Sequence, residues 1–200
     1  FIFIEFFCLK SFTGIVMKFT FCKILTTFLT IFILAGFSFA QSEREKGIKL
    51  YESGDYKTAI ETLQRAILEN ENDVEVWRFL GMAHARTNNK RQARKDFEKV
   101  KDWRNEELNK NFDIPVKILT KRPARYTEEA RRNNISGTVK LAVEFGKDGQ
   151  IKYIFPITEL SHGLTENAVK TASEMRFEPA VKNNKTVTAI KIVSYSFQIY

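Results

Sequence analysis

The stretch HGLTENAVKTASEMRFEPA, residues 162–180, gathers groups from which a hydrolytic site could be built. His162 is the candidate base, with Glu166, Glu174 and Glu178 as carboxylates and Arg176 as a cation. General acid–base chemistry needs the base held within hydrogen-bond reach of its partners, and the sequence identifies no orienting partner for His162. The second histidine, His84, lies in a different part of the chain. No nucleophile motif, metal-ligand spacing or phosphate-binding loop is present. His162 therefore reads as a loop residue ahead of a helix, and His84 as a packing residue. The expectation is a chain that is not an enzyme, with no catalytic residue, metal or cofactor.

Read by position, the same stretch is a support. Thr165 is the expected N-cap, and Leu164 before it can staple to Val169. Ala168, Ala172 and Met175 form the apolar stripe, Glu174 and Arg176 face water, Phe177 enters the core and Pro179 stops the helix. Around it lie strands. Val139, Leu141, Val143 and Phe145 alternate along residues 138–145, as on a half-buried strand. Residues 146–149, with Gly149, make a hairpin loop, and Ile151, Tyr153, Phe155 and Ile157 form the return strand. Pro156 places that strand at an edge. The final strand spans about residues 186–200. Val193, Tyr195, Phe197 and Ile199 share one of its faces, and Ile192, Ser194, Ser196, Gln198 and Tyr200 the other. A first helix follows Tyr126, with Thr127 as N-cap and Glu128 and Glu129 in its first turn, where the helix dipole favours acids. Gly137 turns the chain into the first strand.

These features resemble the TonB C-terminal domain from about residue 115 to 200. The matching pieces are Tyr126-Thr127-x-x-Ala130, Gly137-Thr138-Val139, Asp148-Gly149, Gly163-Leu164-Thr165, Arg176-Phe177-Glu178-Pro179-Ala180 and Tyr195-Ser196-Phe197. Thr127 stands where the family's commonest form has proline. The resemblance implies a three-stranded antiparallel sheet packed on two helices. It also implies a periplasmic domain that adds an outer-membrane receptor's strand to its last strand. That strand corresponds here to Ile190, Lys191, Ile192, Val193, Ser194, Tyr195, Ser196, Phe197, Gln198 and Ile199. Pairing of this kind uses backbone groups and leaves little trace in residue type.

Upstream, two stretches align at a spacing of 34 residues. Gly47 matches Gly81, Ala59 matches Ala93, Leu63 matches Phe97 and Ala66 matches Val100. The period and the Trp77-x-x-Leu80-Gly81 run resemble the tetratricopeptide (TPR) repeat. The small residues let paired helices approach closely, and Gly54-Asp55-Tyr56 supplies the turn. The first repeat departs at Glu43 and Lys46, where Trp and Leu are usual. A helix over residues 102–110 is expected to cap the stack. Such arrays present a surface to a protein ligand, which is unknown here.

The first forty residues are set apart. Residues 1–16 read as upstream translation before Met17. Residues 17–40 read as a signal peptide, with Lys18 and Lys23, an apolar run and Ser38-Phe39-Ala40 before the cut. An uncleaved inner-membrane anchor facing the periplasm is the alternative. The full sequence carries +8; without residues 1–40 it has 29 basic and 23 acidic residues, or +6. That is ordinary and points away from nucleic acid. Both cysteines, Cys8 and Cys22, lie in the leader, so the remainder offers no thiol chemistry.

The expected architecture is α+β: all-α helical hairpins over residues 41–112, then the TonB-like domain over 113–200. The expected function is an exported periplasmic binding or adaptor protein of TonB-type transport, meeting a receptor segment or another TonB-like domain through its last strand. A membrane association is expected only if the leader is retained. An envelope scaffold or homodimerisation protein unrelated to transport is the alternative.

Overall fold

In the N-terminal helical layer, capping side chains decide where each helix begins. The structure, a computed structural model, describes residues 42–100 and 111–199; the expected leader and the helix over 102–110 lie outside them. Helices α1 (Glu43–Glu52), α2 (Tyr56–Glu69), α3 (Val74–Arg86) and α4 (Lys90–Lys99) follow Ser42, Asp55, Asp73 and Asn89. Each of those four side chains accepts a hydrogen bond from a first-turn amide, which satisfies donors the helix leaves orphaned.

The helices form two hairpins, and the 34-residue period reappears as geometry. A Cβ on Gly47 would lie 2.7 Å from Leu63 Cδ2, and one on Gly81 would lie 3.0 Å from the Phe97 ring. Ala59 and Ala93 are each 0% exposed. The turns match too: Gly54 (φ 88°) and Asn88 (φ 61°), one period apart, both take the left-handed conformation. Asparagine tolerates that region better than other non-glycine residues.

The second half begins with β1 (Lys117–Thr120) and α5 (Glu128–Arg132), capped by Thr127 as expected. Then come β2 (Gly137–Phe145), β3 (Ile151–Pro156), α6 (Leu164–Ser173), β4 (Arg176–Glu178), β5 (Ala180–Lys182), β6 (Lys185–Val187) and β7 (Ala189–Phe197). The central sheet is three-stranded and antiparallel in the order β3-β2-β7. Its β2–β7 register runs from Gly137 opposite Phe197 to Phe145 opposite Ala189. Two small ladders, β1–β4 and β5–β6, flank it. Tyr126 donates its hydroxyl to the Ile135 carbonyl and meets Phe197 edge-on at 5.8 Å. Gly137 (φ 147°) lies against Leu160, and Gly149 (φ 78°) sits in the β2–β3 turn.

Three expectations need correction. Thr165 does not cap α6: the helix starts at Leu164 behind Gly163, whose φ is 78°. The Thr165 hydroxyl instead accepts from the Leu160 amide and donates to the Leu160 carbonyl, tying down the loop before the helix. Pro179 does not stop the helix, which ends at Ser173; the chain is already extended as β4 before the proline arrives. The final strand expected over residues 186–200 is divided at Thr188: residues 186–187 belong to β6, which pairs with β5, and only β7, from Ala189 to Phe197, lies in the central sheet. Asn183 and Asn184, both with positive φ, turn β5 into β6. Asn-Asn suits the tight hairpin turn, which needs two left-handed residues.

Both faces of the sheet are covered. Val139, Leu141, Val143 and Phe145 of β2, with Val193, Tyr195 and Phe197 of β7, pack on Ala130 of α5 and on Leu164, Ala168 and Ala172 of α6. Phe177 joins them and meets Phe145 edge-on at 4.8 Å. On the opposite face, Ala142, Phe155, Ile157, Ile190 and Ile192 pack against the helical hairpins. Phe97 stacks on Phe155 at 6.0 Å. Helices and sheet thus form one compact unit, Ser42–Tyr200. One face of the helical layer is occupied by the sheet of the same chain.

Candidate functional site

The parity of the β2 ladder decides which groups of β7 are available. The Lys140 carbonyl accepts from Ile157 and Thr158, on the β3 side. Even-numbered residues of β2 therefore bond toward β3, and odd-numbered ones toward β7. Opposed residues in this register share parity, so the odd residues of β7 face β2. Ile190, Ile192, Ser194 and Ser196 turn their N–H and C=O groups outward, since both groups of a strand residue point the same way. No strand among the described residues pairs with that outer edge.

Of the residues named for partner binding, Ile190 through Phe197 lie in β7, and Gln198 and Ile199 follow its end. Their side chains divide as the pleat requires. Ile190 and Ile192 are buried under the helical layer, and Val193, Tyr195 and Phe197 are buried on the α5–α6 side. The Ser194 and Ser196 side chains are exposed. Only backbone and two serines are open to a partner along the middle of this edge.

Three cations attend the edge, and sequence reasoning overlooked two of them. Arg78 on α3 is 0% exposed and donates from Nη1 to the Ile190 carbonyl at 3.1 Å. Its Nε and Nη2 are buried without a partner. Burial pushes the guanidinium down to about 10, with the Glu75 charge partly offsetting the shift. Lys121, just after β1, donates to the Ser194 carbonyl at 2.9 Å and lies 5.0 Å from the Tyr195 ring centre. Lys191 donates to the Val116 carbonyl, just before β1, at 3.1 Å. Burial lowers the pKa of both lysines, and the Arg78 charge lowers Lys191 further. One signal for Arg78 was present: it interrupts VWRFLGMAHA, a run with apolar residues on every side.

The histidines sit elsewhere. His84 is buried with Nδ1 2.6 Å from Asp96 Oδ2, while Gln92 donates to the other Asp96 oxygen at 2.8 Å. This is a satisfied polar cluster inside the second hairpin. His162 has φ 59° and Nδ1 2.7 Å from the Ser161 hydroxyl, on the loop before α6. The two are not brought together.

A further polar cluster joins the two halves. Glu144 Oε2 accepts from the Tyr51 hydroxyl at 2.7 Å and from Arg86 Nη2 at 2.8 Å. The Arg86 guanidinium lies 4.4 Å from the Tyr153 ring centre.

Residues 122–199 match the family model described as Gram-negative bacterial TonB protein C-terminal.

This TonB-like region contains the whole central sheet, both helices beneath it and the β7 edge. The helical layer and β1 precede it. Among solved structures, the chain is similar to the solution NMR structure of the TonB C-terminal domain of Pseudomonas aeruginosa. The identity is 28% and the TM-score 0.36, over 44% of this chain and 89% of that one. No curated protein matches.

Proposed function

We propose that this chain is a non-catalytic protein-binding component of TonB-type transport across the cell envelope, working in the periplasm. The outer edge of β7 takes up an extended segment of an outer-membrane receptor by strand addition. The observation that carries this reading is the row of outward backbone groups at Ile192, Ser194 and Ser196, which no strand among the described residues pairs, inside the region that matches the TonB C-terminal family. Strand addition draws its affinity from main-chain hydrogen bonds, and this edge offers mainly those.

The helical hairpins are read as tetratricopeptide-type repeats. Support comes from the 34-residue recurrence of the Gly47–Leu63 and Gly81–Phe97 contacts. Because one of their faces holds the sheet, any further ligand of theirs uses the faces that remain.

The test is capture of peptides from receptor N-termini by the full chain and by Ser194→Pro. Proline at 194 removes an outward N–H and leaves the β2 ladder intact. The reading expects binding by the parent chain and its loss in the variant, with an unchanged circular dichroism spectrum. No binding above a scrambled peptide, or equal binding by the variant, would remove it.

A further inference from the structure

The β7 edge carries a charge pattern that strand addition alone does not require. Arg78, Lys121 and Lys191 all donate to main-chain carbonyls at 2.9–3.1 Å. Among the described residues none of the three has a carboxylate within ion-pair distance. Glu75, the acid that influences Arg78, is itself paired with Arg44. A carbonyl is a weaker partner for a cation than a carboxylate, because only the latter gives a charge-assisted bond on both sides. Arg78 also has two buried N–H-bearing atoms with no acceptor, and an unsatisfied buried donor is costly.

Lys121 also occupies the acceptor that an added strand needs. The Ser194 carbonyl faces outward, and an incoming N–H must replace the ammonium there. The displaced ammonium remains tethered beside the same position. An acidic side chain on the incoming segment would give it a charge-assisted partner there.

We propose that the outer edge of β7 selects an extended segment bearing acidic side chains, which Lys121 and Lys191 recognise as the strand pairs with Ile192, Ser194 and Ser196. This rests on the strand-addition reading and adds the chemistry of the partner. A second copy of this chain is the poorer occupant, since its own edge brings the same cations and the full sequence carries +8. Like charges brought together oppose association.

The test uses the full chain and three end-capped, fluorescent ten-residue peptides of alternating Thr and Val. They differ only at two positions, which hold Glu, Gln or Lys. Polarisation titrations at low salt should give the Glu peptide about fivefold tighter binding than the Gln peptide, with the Lys peptide weakest. In Lys121→Gln, whose parent side chain is exposed, the Glu-to-Gln preference should fall to about twofold or less. Ser194→Pro should weaken all three. Equal binding of the Glu and Gln peptides, still abolished by Ser194→Pro, would overturn the acidic preference while leaving strand addition standing. Absence of binding by all three, or binding indifferent to Ser194→Pro, would overturn both. Dimerisation abolished by Ser194→Pro, without peptide binding, would replace the acidic segment with a second copy.

Discussion

The Tyr51 hydroxyl donates to Glu144 Oε2 at 2.7 Å, joining the first helical hairpin to β2 across 93 positions of sequence. Arg86 completes the cluster from α3. The bond shows why the helical layer and the sheet act as one body: a buried carboxylate on the sheet is satisfied only by groups on the helices.

Burial, followed by the charge and hydrogen bond of Glu144, raises the Tyr51 pKa well above its ordinary value of 10.0. The folded chain thus holds the phenol proton more tightly than the unfolded chain does. That contribution is complete below pH 10 and is lost as pH rises above it. Tyr51→Phe should cost about 1 kcal/mol at pH 7, and its stability should fall less steeply than the parent's above pH 10. Urea denaturation between pH 7 and 11 checks both. Parallel pH curves would show that the bond carries no linkage.

Glu144→Ala should cost more. It leaves the Tyr51 hydroxyl buried without its acceptor and Arg86 without its partner. Arg86 is partly open to solvent, so the expected loss is about 2 kcal/mol, less than for a fully buried pair. A drop in the urea midpoint at pH 7 measures it.

Gly47 and Gly81 should both resist alanine. Alanine is the better helix former by about 1 kcal/mol, yet the added methyl would meet Leu63 or the Phe97 ring at 2.7 and 3.0 Å. Overpacking of that kind outweighs the propensity gain by about 1 kcal/mol. A higher thermal midpoint in either variant would show that the hairpins open without strain.

The Arg78 charge should add little to stability. Its depressed pKa means the fold disfavours the charge. That cost is present below about pH 10 and is relieved only as pH rises through the folded value toward the ordinary 12.5. Arg78→Met should therefore be neutral or stabilising by about 1 kcal/mol at pH 7. Calorimetry at pH 7 checks it, and a clearly lower thermal midpoint in the variant would show that the charge supports the fold.

Much of this was legible because it rests on local rules. The 34-residue alignment named Gly47, Leu63, Gly81 and Phe97, and these meet in pairs. Thr127 was readable as a cap because an oxygen-bearing side chain before two acids has one common use. The alternation along β2 gave its faces. Thr165 failed because a hydroxyl can serve a loop as well as a helix start, and its partners are the amide and carbonyl of Leu160, five residues upstream. Pro179 failed because a short strand fits between Ser173 and the proline. The docking of the helical layer on Ala142, Phe155, Ile190 and Ile192 was not readable either. Apolar residues on the second face of a strand say that something covers it, not what. Lys121 left no sign in the sequence because its partner is a carbonyl, which every residue has, and Arg78 left only that of a charge inside an apolar run.

Hydrogen exchange at single-residue resolution tests the binding edge most directly. The full chain is compared alone and saturated with a receptor N-terminal peptide. The account predicts new protection at Ile192, Ser194 and Ser196, in strict alternation, with Val193, Tyr195 and Phe197 already slow through their bonds to β2. Saturation with the β7 amides unchanged and new protection confined to α1–α4 would contradict it.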